Sequence, residues 1–254
     1  MLLAVDIGNS NIKIAVFAGE TQAALWRCAT QTKRTVDEYA VFISSCAREA
    51  GFELQYIAGA ILCSVVPGVT PLVSQAIEQL IGIAPKLVTL DVVPIKCLVD
   101  NPGATGTDRL AAIMGVRGQY TLPALIVDFG TCTTFTVIDA DGNYRGGAIA
   151  PGVDLALQAM YGAAAQLPKV ELAPPPHILA TNTAHAMQSG IYHGTIAMVE
   201  GMIARLQGEF APFATIVASS GICPIFKDRI NGVTVYDPHL NLTGLRYIHE
   251  SFCA

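Results

Sequence analysis

LAVDIGNSNIKIAVF at residues 3–17 and LIVDFGTCTTFTVID at residues 125–139 are the two stretches whose likeness decides how this chain reads. Each begins as an apolar run that reaches an Asp (Asp6, Asp128), turns at a Gly (Gly8, Gly130) through small polar residues, and resumes as a second β-rich run. The pattern returns after about half of the 254 residues, and the agreement extends into the second strand, which points to two related halves. AGAILCSVVPG, PKLVTLD and ATIVAS are further short β-branched runs bounded by Gly, Pro or Asp. Helical spacing predicts helices over 36–51, 69–80, 108–119, 154–161 and about 183–207. Alternating helices and nearly continuous apolar strands imply an α/β protein whose sheets are covered on both faces. The expected boundary lies near 120, giving domains 1–120 and 121–254.

Composition narrows the function. At 52% hydrophobic and 14% charged, the chain has too much apolar surface to bury for disorder to be an option. Fifteen Lys and Arg against twenty Asp and Glu give a net charge of -5 with no basic run, so nucleic acid is not an expected partner. The first residues lack the basic flank and unbroken apolar core of a secretory signal, and no stretch reaches the roughly 18 apolar residues of a membrane span. A cytoplasmic protein is expected. Seven Cys without a CxxC pair agree with reduced thiols, and the five His form no HxxxH metal motif.

Three segments carry candidate chemistry. Asp6, Gly8, Asn9, Ser10, Asn11 and Lys13 put a carboxylate, a Gly turn and several donors within eight residues. Exposed turn amides can hold phosphate oxygens, and a carboxylate can hold Mg2+. Asp128, Gly130, Thr131, Thr133 and Thr134 repeat the design, and two opposed turns of this kind would make a nucleotide cleft. DNPGATGTDRLAAIMG at 100–115 runs a Gly/Pro-rich loop into a helix start, with Thr107 as a possible cap. There Asp108 can accept the proton of a substrate hydroxyl and Arg109 can position an anionic group, although a dipole-favoured helix start also explains the Asp. In the third, Gly146, Gly147, Pro151 and Gly152 read as a backbone-rich loop that leads into a helix and would let a ligand approach the main chain. The long C-terminal helix, with Gly190 and Gly194 as a GxxxG, reads as buried against protein, within the domain or at a subunit interface.

The chain resembles the type III pantothenate kinases, members of the actin, Hsp70 and sugar-kinase superfamily. The resemblance rests on DIGNSNIK at 6–13, NPGATGTDR at 101–109, DFGTCTTFTVID at 128–139 and GGAIAPG at 146–152, with support from 163–172 and 182–194. It implies two duplicated ribonuclease H-like (actin-like ATPase) domains facing across a nucleotide cleft, and transfer of phosphate from ATP, with Mg2+, to pantothenate at the start of coenzyme A synthesis. By position, Asp6 to Lys13 resembles the phosphate-binding turn, with Asp6 at Mg2+, and Thr131 an ATP contact. Gly106, Thr107, Asp108 and Arg109 resemble the pantothenate loop, with Asp108 the general base, and Thr183 a further pantothenate contact. Asp128 falls on the carboxylate for an activating K+ or NH4+. A homodimer that uses the long helix is also implied. Three departures stand out: Cys132 for the usual Ala, Val99 for a frequent Tyr, and Ser219-Ser220-Gly221 for a Thr-Gly-Gly turn. The alternative is a non-catalytic regulatory accessory factor of the same fold.

Overall fold

The computed structural model describes residues 1–164 and 167–252; Ala165 and Gln166, part of the supporting stretch 163–172, and Cys253 and Ala254 lie outside the described residues. In chain order the elements are β1 (Leu2–Ile7), β2 (Asn11–Ala18), β3 (Thr21–Ala29), α1 (Val36–Glu49), β4 (Gly59–Ser64), α2 (Thr70–Ile81), β5 (Lys86–Leu87) and α3 (Thr107–Gln119). There follow β6 (Ala124–Phe129), β7 (Cys132–Ile138), β8 (Tyr144–Pro151), α4 (Val153–Ala163), α5 (Thr183–Glu209), β9 (Thr215–Ser219), β10 (Val235–Asp237) and α6 (Leu240–Ser251). Two compact units result. Among the described residues, one holds Met1–Lys96, Asp100–Gln119 and 240–252; the other holds Cys97–Val99 and Tyr120–His239.

Each unit is built on one five-stranded sheet, in the order β3-β2-β1-β4-β5 and β8-β7-β6-β9-β10 respectively. In both, the Asp-bearing strand is the middle one. It pairs antiparallel with the strand that follows it in sequence and parallel with a later one. The likeness between 3–17 and 125–139 is therefore the visible part of a repeated topology.

Within the first unit the helix ends follow local chemistry. Thr35 and Glu38 form a capping box at the start of α1, where Thr35 Oγ1 accepts from the Glu38 amide and Glu38 Oε2 accepts from the Thr35 amide. Pro71 sits in the first turn of α2, and Gly82 ends it at a positive φ of 71°. Strand alternation sends Leu3, Val5 and Ile7 to one face of β1, where they pack with Tyr39 and Ile43 of α1 and Val73 and Ile77 of α2. Each such buried side chain contributes about 2 kcal/mol. The other face is covered by α3 and α6. These two helices approach so closely that a Cβ at Gly244 would run into the carbonyl of Ala111. The last helix follows the second unit in sequence, yet it packs into the first.

The second unit has its own core, in which Leu125, Val127 and Phe129 of β6 meet Phe135, Val199, Ile203 and Phe226. Phe226 stacks on Phe129 and Tyr192 with ring centroids 5.0 and 5.4 Å apart. The helices expected in the first 210 residues form with small changes at their ends, while α6 is an addition to them. The glycine-rich stretch at 145–152 differs from its reading as a loop: Tyr144–Pro151 is the strand β8. There the lack of a side chain on Gly147 serves a close approach to the Phe135 carbonyl of β7, so the neighbour is backbone rather than a ligand. Six free cysteines lie among the described residues, and no helix there is long and apolar enough to cross a membrane.

Candidate functional site

Because Leu3, Val5 and Ile7 face α1 and α2, Asp6 faces α3 and α6, and only 6% of it is exposed. A carboxylate there needs partners. Its Oδ1 accepts from the thiol of Cys63, the register neighbour on β4, at 3.4 Å, and its Oδ2 accepts from Asn241 Nδ2 of α6 at 3.3 Å. Lys13 is its cross-strand partner on β2. Burial, then the charges of Asp6 and Asp108, push the Cys63 thiol well above its ordinary range, so it remains a neutral donor. Beyond Ile7 the chain turns through residues 8–11, closed by the Gly8 amide donating to the Asn11 carbonyl at 3.0 Å. Thr30 ties this turn down: its Oγ1 donates to the Gly8 carbonyl at 2.6 Å and its amide to the Ser10 carbonyl at 3.0 Å. Asn9, Ser10 and Asn11 are left exposed at the rim.

The second carboxylate of this unit stands at the start of α3. Thr107, the first residue of that helix, is fixed to the end of β4, donating from Oγ1 to the Ser64 carbonyl at 2.9 Å and accepting from the Ser64 amide at 3.0 Å. Asp108 Oδ1 accepts from the amide of Arg109 at 2.7 Å. That carboxylate curls back over Gly106, where a Cβ would lie 2.5 Å from Oδ1, so a side chain at 106 would displace it. Burial first, then the charge of Asp6, raise the pKa of Asp108 above the ordinary carboxylate value, and the amide and charge of Arg109 oppose this. Asp6 and Asp108 therefore lie within electrostatic reach of each other, an arrangement that suits a cation. Among the described residues no group of three or more His, Cys, Asp or Glu forms a complete metal site. A hard divalent ion at Asp6 would need further oxygens from a bound phosphate, which is how Mg2+ is commonly held. A cleft of about 560 Å³ opens beside this helix start, lined by Ser64, Thr70, Ser74, Thr89 and Thr107, with apolar residues completing its wall.

In the second unit Asp128 occupies the penultimate position of β6, as Asp6 does in β1, opposite Thr134 on β7 and Ser219 on β9. The turn closes by the Gly130 amide donating to the Cys132 carbonyl at 3.1 Å, and Thr131 is exposed on it. Gly152 lies against this turn, where a Cβ would strike the carbonyls of Gly130 and Thr131. Ser220 adopts a positive φ of 92° and donates from Oγ to the Phe129 carbonyl at 2.7 Å. The Gly expected at that point would take up such a backbone freely, so the chain keeps the turn and replaces Gly with a residue that ties it to β6. Thr183 is exposed at the first position of α5, whose cap Asn182 accepts from the His185 amide at 2.9 Å. Val99 packs beside Gly146.

The structure thus brings Asp6, Lys13 and Asp108 into one neighbourhood of the first unit and groups Asp128 with Thr131 in the second. Sequence reasoning missed Asn241, Cys63, Ser64 and Thr30, all of which act on the named residues through hydrogen bonds. For Asn241 a signal existed: Asp237-Pro238 followed by Leu240, Leu245 and Ile248 is a turn and then a helical apolar spacing.

Comparison with known proteins gives the family and the fold. A family model described as type III pantothenate kinase matches residues 2–205. A type III pantothenate kinase of Moorella thermoacetica is 40% identical over 253 residues, covering 98% of this chain and 99% of that one. Among solved structures, a Campylobacter jejuni protein assigned to the Baf family of transcriptional activators superposes with a TM-score of 0.62 at 16% identity, covering 99% of this chain and 98% of that chain. The ROK hexokinase of Thermus thermophilus gives a TM-score of 0.51 at 14% identity, covering 100% and 99%. These structural likenesses, with the two mixed sheets, show a fold of two ribonuclease H-like units.

The Ser220 turn makes a stability prediction. Ser220→Ala keeps the positive φ and loses the bond to Phe129, so it should lower unfolding stability by about 1 kcal/mol in urea titration. Ser220→Gly loses the same bond but relieves about 1 kcal/mol of backbone strain and should be close to neutral. An alanine variant as stable as the parent would refute this account of the turn.

Proposed function

The chain belongs to the type III pantothenate kinase family, and we propose that it transfers the γ-phosphoryl group of ATP to the primary hydroxyl of pantothenate, the first step of coenzyme A biosynthesis. The observation that carries this reading is Asp108: a carboxylate at a helix start, oriented by the Arg109 amide and raised in proton affinity by burial and by Asp6. An ordinary Asp is a weak base for an alcohol, and a raised pKa brings it nearer to the working range. Asp108 accepts the hydroxyl proton as the oxygen bonds to the γ-phosphorus and the bond to the β–γ bridging oxygen breaks, releasing ADP. Arg109 is suited to the carboxylate of pantothenate. Gly106 and Thr107 hold the loop that seats this substrate, and Thr183 is a further contact to it.

On the nucleotide side, the turn Gly8, Asn9, Ser10 and Asn11 offers amides and short polar side chains to the phosphates. Lys13 adds positive charge, and Thr131 is a contact to ATP. Asp6 would hold Mg2+, which when bound offsets the phosphate charge that few basic residues are present to cover. Asp128 would hold a monovalent cation, K+ or NH4+; its carboxylate, at the strand end that leads into the turn, is the kind of oxygen acceptor that such ions take. For the subunit contact, α5 exposes Ala186, Gly190, Gly194 and Ala197 at three- and four-residue spacing, and Ile178 and Leu179 before it are 71% and 83% exposed. A second copy of the chain covering this surface makes the protein a homodimer.

Turnover and the stability of one variant test this reading. Pantothenate-dependent release of ADP is expected from the parent and should fall about 100-fold or more in kcat for Asp108→Asn, while ATP binding survives. No pantothenate-dependent turnover at all would favour the accessory-factor alternative, and full turnover by the variant would remove Asp108 as base. The same variant should be more stable than the parent at pH 7, by about 0.5–2 kcal/mol. Burial raises the folded-state pKa of Asp108, so its ionised form costs stability above that value, and below the ordinary 3.8 the cost is absent. The stability gap should therefore close as pH falls through the raised pKa toward 3.8.

Rates in KCl should exceed those in tetramethylammonium chloride by several-fold, and equal rates would count against the monovalent site. Light scattering after gel filtration should give a dimer for the parent and a shift toward monomer for Gly190→Arg. A monomeric parent would overturn the subunit assignment.

A further inference from the structure

We propose that Asn241 is a positioning residue that fixes the orientation of the Asp6 carboxylate for the divalent cation; this rests on the reading that Asp6 holds Mg2+. Asp6 sits at the end of a buried strand, and its carboxyl group is free to rotate unless each oxygen is held. One restraint is the Cys63 thiol at 3.4 Å, a weak donor. The other is the Asn241 amide at 3.3 Å, the stronger kind of donor. An amide suits the task because it is neutral. A Lys or Arg in its place would cancel the charge meant for the cation, and an Asp would repel the carboxylate it should steady. Each Asp6 oxygen keeps lone-pair capacity after accepting these single bonds.

The amide is itself rigidly placed. Asn241 lies in the first turn of α6 between Leu240 and Leu242, both with no exposed surface. The Leu240 carbonyl lies 2.5 Å from where a Cβ at Gly115 of α3 would be, so α6 is packed closely against the helix that carries Asp108. One helix pair thereby carries both Asp108 and the amide that orients Asp6. The positive end of the α6 dipole also lies beside the carboxylate.

Outer partners of this kind typically alter metal affinity by 10- to 100-fold. The test is Mn2+ binding followed by electron paramagnetic resonance, with a non-hydrolysable ATP analogue present, for the parent, Asn241→Leu, Asn241→Gln and Asp6→Asn. Asn241→Leu should bind Mn2+ about tenfold more weakly. Its half-saturating Mg2+ concentration in turnover should rise by a like factor, with kcat at saturating Mg2+ and the pantothenate KM nearly unchanged. Asn241→Gln, which keeps the amide, should recover part of the affinity. A purely structural role would instead lower the urea midpoint and leave the Mn2+ affinity in place. If Asp6→Asn loses Mn2+ and Asn241→Leu retains parental affinity, or if the Leu and Gln variants lose it equally, the positioning role is overturned while Asp6 stands. If Asp6→Asn binds Mn2+ like the parent, the assignment of Asp6 fails and the positioning role with it.

Discussion

A carboxylate near the end of a central strand covered on both faces is the constraint on which the first unit depends. Leu3, Val5 and Ile7 must face α1 and α2 to bury their side chains, and the pleat then leaves Asp6 on the face of α3 and α6. Since an unpaired buried charge is far more costly than a hydrogen bond is worth, the surrounding elements have to supply donors. They do so from β4 through Cys63 and from α6 through Asn241, and α3 brings a second carboxylate near enough to feel the first. Two neighbouring negative groups are unfavourable for the fold taken alone. They are useful to a protein whose substrates arrive with cations.

The hairpin at the centre of each sheet was legible because it is encoded locally and twice. An apolar run, an Asp, a Gly turn and a β-rich return specify a hairpin, and their recurrence at 125–139 specifies a second one with the same neighbours. The start of α5 was equally readable, since Asn182 is a capping residue type at the point where apolar spacing begins, whereas Thr107, expected as a cap, is the first residue of α3 and spends its hydroxyl on the Ser64 backbone. The stretch 145–152 was harder. Three glycines and a proline have low strand propensity, and only the approach of Gly147 to the β7 backbone explains why such residues form an edge strand.

Of the candidate site, the residues that would touch substrate stand in short ordered motifs, and the residues that hold them do not. Asp108 could be picked out from NPGATGTDR, but Ser64, which anchors Thr107, belongs to a strand end with no distinguishing pattern. Thr30 binds a turn some twenty residues upstream, and Asn241 is separated from Asp6 by nearly the whole chain. Such partners become visible only once β3, β4 and α6 are in place, because long-range hydrogen bonds leave no periodicity in the sequence.

The return of α6 to the first unit has a consequence for how the molecule is made. β1 is synthesised well before the amide that satisfies Asp6, which lies 235 residues later in the helix that closes over that face of the sheet. Until then the first unit lacks one of its two covering helices on that side, while the second unit, contiguous apart from residues 97–99, has its whole core at hand. The unit that holds β1 must thus wait for α6, and the second unit is free to fold before the first is finished.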